Sequence, residues 1–170
     1  MIKYIADEEH YGEVLKQVTN VRRQLWIGTA DIKDLYMKSG GATLPFVAVL
    51  ADLVHRGVEI RLIHAKEPGP NFQQDFDRYP ELLEGMERQL CPRVHFKLMV
   101  FDCRLAYIGS ANLTGAGIGM KGVGTLTFEA GILTDEELLV DQATTQFDNV
   151  WMGRHCRTCR RRAYCPDPIG

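Results

Sequence analysis

The stretch Arg93-Val94-His95-Phe96-Lys97-Leu98-Met99-Val100-Phe101-Asp102, followed by Leu105-Ala106-Tyr107-Ile108-Gly109-Ser110, constrains the fold of this chain more than any other. Both runs are rich in β-branched, aromatic and aliphatic residues, and Asp102-Cys103-Arg104 separates them. That pattern reads as two strands joined by a turn. Side chains alternate between the faces of a strand. Val94, Phe96, Leu98 and Val100 therefore share an apolar face, while His95 and Lys97 share the other. Ser110 and Asn112 likewise share a face. If a two-residue loop at Cys103-Arg104 closes the hairpin, Lys97 stands opposite Ser110 and His95 opposite Asn112. An imidazole, an ammonium, a hydroxyl and a carboxamide then converge on one patch, and a one-residue slip would scatter them.

Such a patch suits a phosphodiester. Lys97, Ser110 and Asn112 can donate hydrogen bonds to non-bridging phosphate oxygens and stabilise the charge of a trigonal-bipyramidal transition state. An imidazole titrates near neutrality, so His95 can act as a nucleophile toward phosphorus or as a proton donor to the leaving oxygen. No Asp/Glu cluster stands nearby in the sequence to hold two divalent metals. The chemistry reads as metal-independent.

Taken together, His95-x-Lys97-x4-Asp102-x6-Gly109-Ser110-x-Asn112 resembles the HKD motif of the phospholipase D superfamily, with all six positions present. The resemblance implies that His95 attacks phosphorus to form a phosphohistidine, while Lys97, Ser110 and Asn112 hold the phosphate. It implies that Asp102 supports the hairpin or the histidine network without reacting. Family members carry a glutamate downstream that orients a histidine, and Glu129 in Thr127-Phe128-Glu129-Ala130-Gly131 is the candidate. Gly115, Gly117 and Gly119 would shape the loop beside the site. Only one copy of the motif is present, because His10, His55, His64 and His155 lack a lysine two residues on. A site that needs two histidines then requires a homodimer, as in the small single-motif bacterial endonucleases and related phosphodiesterases that this chain resembles.

The rest of the chain alternates helix and strand. Glu8 to Val21 places Tyr11, Val14, Leu15 and Val18 on one helix face. Gln24 to Ala30 reads as a buried strand. Gly40-Gly41 reads as a loop, with Thr43 as N-cap of a helix that has Pro45 in its first turn and stops near Gly57. Val58 to His64 is a strand, and Asn71 to Gln89 is helical in parts. After a Gly-rich loop from Gly115 to Gly124, Thr127 to Leu133 reads as a strand and Glu136 to Trp151 as a helix. This order predicts an α/β fold, a phospholipase D-type αβα sandwich with a mixed central sheet. Residues 1–153 form that domain and 154–170 a Cys/Arg-rich tail.

The tail holds a second constellation, His155-Cys156-Arg157-Thr158-Cys159 and then Cys165-Pro166. Structural zinc takes four N or S ligands. Cys156, Cys159 and Cys165 supply three, with Cys91 or His155 as the fourth. Zinc is the first choice of occupant. The spacing also resembles part of the iron–sulfur loop of some DNA-repair glycosylases, so an iron–sulfur cluster is the second. The third reading is an unliganded, basic, reduced tail. Cys103 reads as a turn residue, and His64 as a polar cap beside the pocket.

Composition narrows the setting. The chain has 170 residues, 45% of them hydrophobic and 25% charged, with a net charge of −2, ordinary values for a soluble globular domain. No apolar run reaches the ~18–20 residues of a membrane span, and the N-terminus turns acidic too early for a secretory signal. Five cysteines with a close Cys-x-x-Cys pair point to reduced thiols or metal, and so to the cytoplasm. Arg154, Arg157, Arg160, Arg161 and Arg162 crowd the tail, a run that reads either as a solvated face or as a surface for a phosphate backbone. The second reading, with the small single-motif form, favours nucleic acid as substrate. A phospholipid headgroup is the alternative substrate, and a catalytically idle phosphate-binding module the alternative class.

Overall fold

In the computed structural model, which describes residues 1–33, 35–120 and 124–170, this alternation becomes a mixed sheet with helices on both faces. Strands β1 (Ile2–Ala6), β2 (Gln24–Thr29), β3 (Tyr36–Ser39) and β4 (Ala42–Pro45) precede helix α1 (Phe46–His55). Next come β5 (Glu59–His64), α2 (Pro70–Phe76), α3 (Glu81–Gly85), β6 (Met86–Leu90), β7 (Lys97–Phe101), β8 (Leu105–Gly109), β9 (Ala130–Thr134) and α4 (Glu137–Trp151). Seven strands form one sheet in the order β1-β9-β8-β7-β2-β5-β6. The β2–β5 and β5–β6 pairs are parallel, and the pairs from β2 through β7, β8 and β9 to β1 are antiparallel. The change of direction falls on β2, which is buried along nearly its whole length, as a central strand covered on both faces must be.

Each face has its own core. Met99, Phe101, Tyr107 and Leu133 join the residues of α1 and of the first helical segment. Leu98, Val100 and Ala106 pack against Val140, Ala143 and Phe147 of α4. Trp26 stacks on Phe147 at 5.2 Å, and Phe147 on Trp151 at 5.9 Å. The Arg61 guanidinium lies 5.1 Å from the Trp26 ring centre and 5.3 Å from that of Trp151. Phe147 is fully buried, and emptying such a site costs about 3–5 kcal/mol.

Several local readings are corrected. The segment from Glu8 is a π-helical turn (His10–Val14) followed by a 3-10 turn (Leu15–Asn20), although Val14, Leu15 and Val18 are fully buried as their spacing required. Thr43 belongs to β4, and Pro45 holds the N-cap position of α1. The polar stretch from Asn71 is helical in parts as expected, in α2 and α3, and only its end forms strand β6. Of the loop from Gly115 to Gly124, residues 121–123 lie outside the described residues.

The hairpin register also differs by one from the expected one. Phe101 pairs with Leu105 and Lys97 with Gly109, so Asp102, Cys103 and Arg104 form a three-residue turn. Asp102 and Cys103 adopt left-handed φ values of 53° and 51°, uncommon outside glycine. Asp102 is held there by what its carboxylate reaches. It accepts the backbone N–H groups of Arg22, Arg23 and Gln24 at 3.1, 2.7 and 3.0 Å, while its own N–H donates to the Gln24 carbonyl at 2.9 Å. Burial alone would raise the Asp102 pKa, but these donors outweigh it and hold the carboxyl below its ordinary value.

Asp102→Ala orphans three backbone donors and should cost about 2 kcal/mol at neutral pH. A depressed carboxyl stabilises fully above its unfolded pKa of about 3.9 and loses that contribution as pH falls through the lower folded value. Urea unfolding of both proteins should therefore show the gap shrinking between about pH 7 and pH 3. A gap that stays constant over that range would rule out the carboxylate as the acceptor.

Candidate active site

Lys97 lies in a row of residues that crosses the sheet. It pairs with Gly109, and Gly109 pairs with Gly131. The β2–β7 register, continued one residue past Gly28 and Leu98, sets Thr29 on its other side. The two glycines have a steric cause. A Cβ on Gly109 would sit 2.3 Å from the Tyr107 hydroxyl oxygen, and one on Gly131 would sit 2.5 Å from the Tyr107 ring. Tyr107 fills the space beneath them and accepts the Ala111 N–H at 3.3 Å. Burial is the main cause that pushes its phenol up to about 12. A neutral ring thus supports the turn that carries Ser110 and Asn112.

Beyond this row the side chains are set one by one. The Ser110 hydroxyl donates to the Glu129 carboxylate, and its oxygen accepts the Ala130 N–H at 3.0 Å. Glu129 is fixed in turn by Asp7, whose carboxylate accepts the Glu129 N–H at 2.9 Å and whose N–H donates to the Glu129 carbonyl at 3.0 Å. The Asn112 carbonyl oxygen accepts the Asp31 N–H at 3.1 Å and faces the Thr29 hydroxyl at 3.4 Å. A backbone N–H can only donate, which settles the amide orientation and leaves the Asn112 NH2 as a donor.

Lys97 is 8% exposed. Its ammonium donates to the His95 carbonyl at 2.8 Å and lies 3.4 Å from the His95 Nδ1. Burial lowers the Lys97 pKa, and the Glu129 carboxylate opposes that shift. The imidazole of His95 is exposed. Its neighbours Val94 and Phe96 belong to the opposite core, and a Cβ on Gly28 would sit 2.2 Å from the Phe96 ring. Seating Phe96 against Gly28 therefore turns His95 to the other side.

Lys97, Ser110, Asn112 and Glu129, with His95 beside them, cluster at one end of β7 and β8 despite the slipped register. Residues 95–96 and 110–112 lie outside the two paired strands, so the ladder does not dictate where their side chains point. Asp102 is not part of this cluster. It lies five residues from Lys97 at the opposite end of β7, roughly 17 Å away at ~3.3 Å per residue. Glu129 engages Ser110 within the chain, not His95. His64 is no cap: it is fully buried, with Nδ1 2.6 Å from the Lys66 carbonyl and its pKa lowered chiefly by burial.

Sequence reasoning missed Asp7, Thr29, Asp31 and Tyr107, the residues that orient Glu129, Asn112 and the Ser110 turn. It also passed over Phe128, which precedes Glu129 and is 93% exposed.

The tail residues stand elsewhere. Cys91, His155, Cys156, Cys159 and Cys165 line a cavity shared with Val94, Phe96 and α4, on the opposite face of the sheet from His95. Among the described residues no three His, Cys, Asp or Glu side chains converge closely enough to grip one ion. The zinc expected at these cysteines therefore has no such cage. The backbone N–H of Arg161, then Arg93, hold the Cys159 thiol below its ordinary value. Among the described residues no helix is long and apolar enough to cross a membrane.

Comparison with known proteins gives a family match. A family model described as the cardiolipin synthase, PLD-like domain matches residues 14–151. No curated protein sequence matches. Nuc from Salmonella typhimurium, a phospholipase D family member, is similar in structure at TM-score 0.64 and 12% identity, over 89% of this chain and 93% of that one. NucT from Helicobacter pylori is similar at 0.62 and 12%, over 88% and 95%. The archaeal chromatin protein TrmBL2 is similar at 0.58 and 13%, over 88% of this chain and 51% of that one. At these identities the structural likeness establishes the fold.

Gly109→Ala should cost about 2 kcal/mol through overpacking. Part of that should disappear in a Tyr107→Leu background, because the two changes compete for one space, while the Ala130 carbonyl oxygen 2.8 Å from the added Cβ keeps the rest. A double-mutant cycle in urea tests this, and purely additive losses would mean that the tyrosine is not what excludes a side chain at Gly109.

Proposed function

Because this chain belongs to the phospholipase D superfamily, we propose that it hydrolyses phosphodiesters without a catalytic metal, at a site shared between two copies of the chain. The observation that carries the reading is the exposed His95 imidazole beside the Lys97 ammonium, next to a Ser110 and an Asn112 already held in orientation. Lys97 and the Asn112 NH2 donate to the non-bridging oxygens, and the charge that builds on them is stabilised by donors already in place. Ser110 joins them by turning its O–H from Glu129 to the phosphate. One His95 attacks phosphorus, an N–P bond forms, and the bond to the leaving oxygen breaks. The His95 of the second copy protonates that oxygen. It then takes a proton from water, which attacks phosphorus and breaks the N–P bond.

The two copies need opposite ring states: a neutral imidazole on the attacking copy and an imidazolium on the copy that protonates the leaving oxygen. Glu129 supports the site through Ser110 and through its charge on Lys97, and Asp102 acts as an anchor of the hairpin.

Nucleic acid is the favoured substrate. Arg154, Arg157 and Arg160 are exposed in the tail, suited to a phosphate backbone. Phe128 and Tyr164 are 93% and 85% exposed and offer faces for stacking bases. TrmBL2, similar in fold, is described as binding DNA. The family description names a cardiolipin synthase, so a phospholipid headgroup is the reading to test against it. All five cysteines are free, which fits a reducing, cytoplasmic setting.

Incubation with labelled DNA, RNA and cardiolipin vesicles in EDTA, with circular dichroism to verify the fold, separates these readings. Nucleic acid should be cut, and His95→Ala should lose on the order of 10⁴-fold in rate. Turnover of lipid alone would replace the substrate, and binding without turnover would leave a phosphate-holding module. The pH–rate profile supplies a second test. Lys97 must be protonated, so activity falls as pH rises through its lowered pKa. Glu129→Gln removes the charge that opposes the shift and should move that alkaline limb to lower pH. An unmoved limb would remove Lys97 as the group being titrated.

A further inference from the structure

The cavity on the other face of the sheet has a volume of about 520 Å³ and gathers four of the five cysteines. Cys91 follows β6, where its N–H donates to the His64 carbonyl at 2.9 Å. The other three come from the tail, 65 or more positions later, in a run of tight turns. Cys156 N–H donates to the Gly153 carbonyl, Cys159 to Cys156, Arg162 to Cys159, and Cys165 to Arg162.

Polar contacts fasten this run against the start of the catalytic segment. The Asp167 carboxylate accepts the Leu90 N–H at 2.8 Å, and the Arg161 guanidinium donates to the Pro92 carbonyl at 3.1 Å. All four thiols are half-buried and none is in a disulfide. Cys103, the fifth, is exposed in the β7–β8 turn, away from the cavity.

A single zinc would draw its ligands close. Bonds of about 2.3 Å to one tetrahedral centre put the sulfurs about 3.8 Å from one another. Here the four cysteines instead line one cavity whose volume exceeds that of a single ion. That space suits a cubane of iron and sulfide, which takes four cysteine ligands, one on each iron. Arg93, Arg161 and Arg162 also line the cavity and would offset the negative charge that four thiolates bring.

We propose that Cys91, Cys156, Cys159 and Cys165 hold a four-iron, four-sulfur cluster that clamps the tail behind the segment carrying His95. Binding of a preassembled cluster of two ferrous and two ferric irons exchanges four thiol protons for four Fe–S bonds and requires no net electron transfer. Val94 and Phe96 line the same cavity while His95 between them points to the opposite face. The cluster would therefore position the histidine from behind without touching substrate. The inference stands apart from the identity of the substrate, since its readout is the metal itself.

The full chain, purified without oxygen or reconstituted with equal amounts of ferrous and ferric iron and with sulfide, should contain about four iron and four sulfide per molecule. It should also show broad visible absorption that dithionite bleaches. Cys91→Ala and Cys159→Ala should each lose most of the iron, whereas Cys103→Ser and His155→Ala should keep it. In case those alanine variants fail to fold, alkylation of the wild-type protein provides a second measurement. Cys103 should react at once and the other four only after the iron is removed. Zinc without sulfide, no metal after reconstitution, or four thiols that alkylate as fast as Cys103 would each overturn the proposal.

Discussion

The contact between Phe96 and Gly28 underlies the active-site arrangement. Nothing larger than a hydrogen fits on Gly28 beneath the half-buried Phe96 ring, and partial burial of such a side chain contributes about 1–2 kcal/mol. With Phe96 seated there, the His95 ring lies beside the Lys97 ammonium. The same stretch of chain feeds Val94 into the α4 core and Lys97 into the row beside Gly109. A face that carries His95 and Lys97 and an apolar, packed face are thus two consequences of one segment.

Anchors at both ends keep that segment in place. At the far end the Asp102 carboxylate gathers three N–H groups from the entry to β2. At the near end Tyr107 supports the turn that carries Ser110 and Asn112. Glu129 and Asp7 then close the site through hydrogen bonds between segments more than a hundred residues apart in sequence. The charged groups do not pay for themselves through stability. Lys97 is driven below its usual range by the burial that positions it, a cost that makes sense where a phosphate is to be met.

Much of this was legible in the sequence, for physical reasons that differ from one residue to the next. Val94, Phe96, Leu98 and Val100 declared their face because a strand has a period of two. The αβα sandwich with its mixed sheet followed from the order of strands and helices. The one-residue error in register arose because Asp102 was taken as a paired residue. Its left-handed backbone and its bonds to Arg22, Arg23 and Gln24 depend on contacts some eighty positions away. Strands β1 and β6 were hidden because edge positions leave Ile2 and Tyr4 exposed and give Glu87 and Arg88 to solvent, which blurs the pattern. Thr29, Asp31 and Asp7 gave no signal at all, since their work lies in orienting groups that are distant along the chain.

The central claim is that each chain carries half a site and lends its His95 to a neighbour. Subunit mixing tests it most directly. The wild-type protein is combined with increasing His95→Ala protein, subunits are allowed to exchange at constant total concentration, and phosphodiester cleavage is measured. If both copies of the imidazole are needed at every site, activity should fall as the square of the wild-type fraction. A linear fall would show that each chain works alone and would contradict the account.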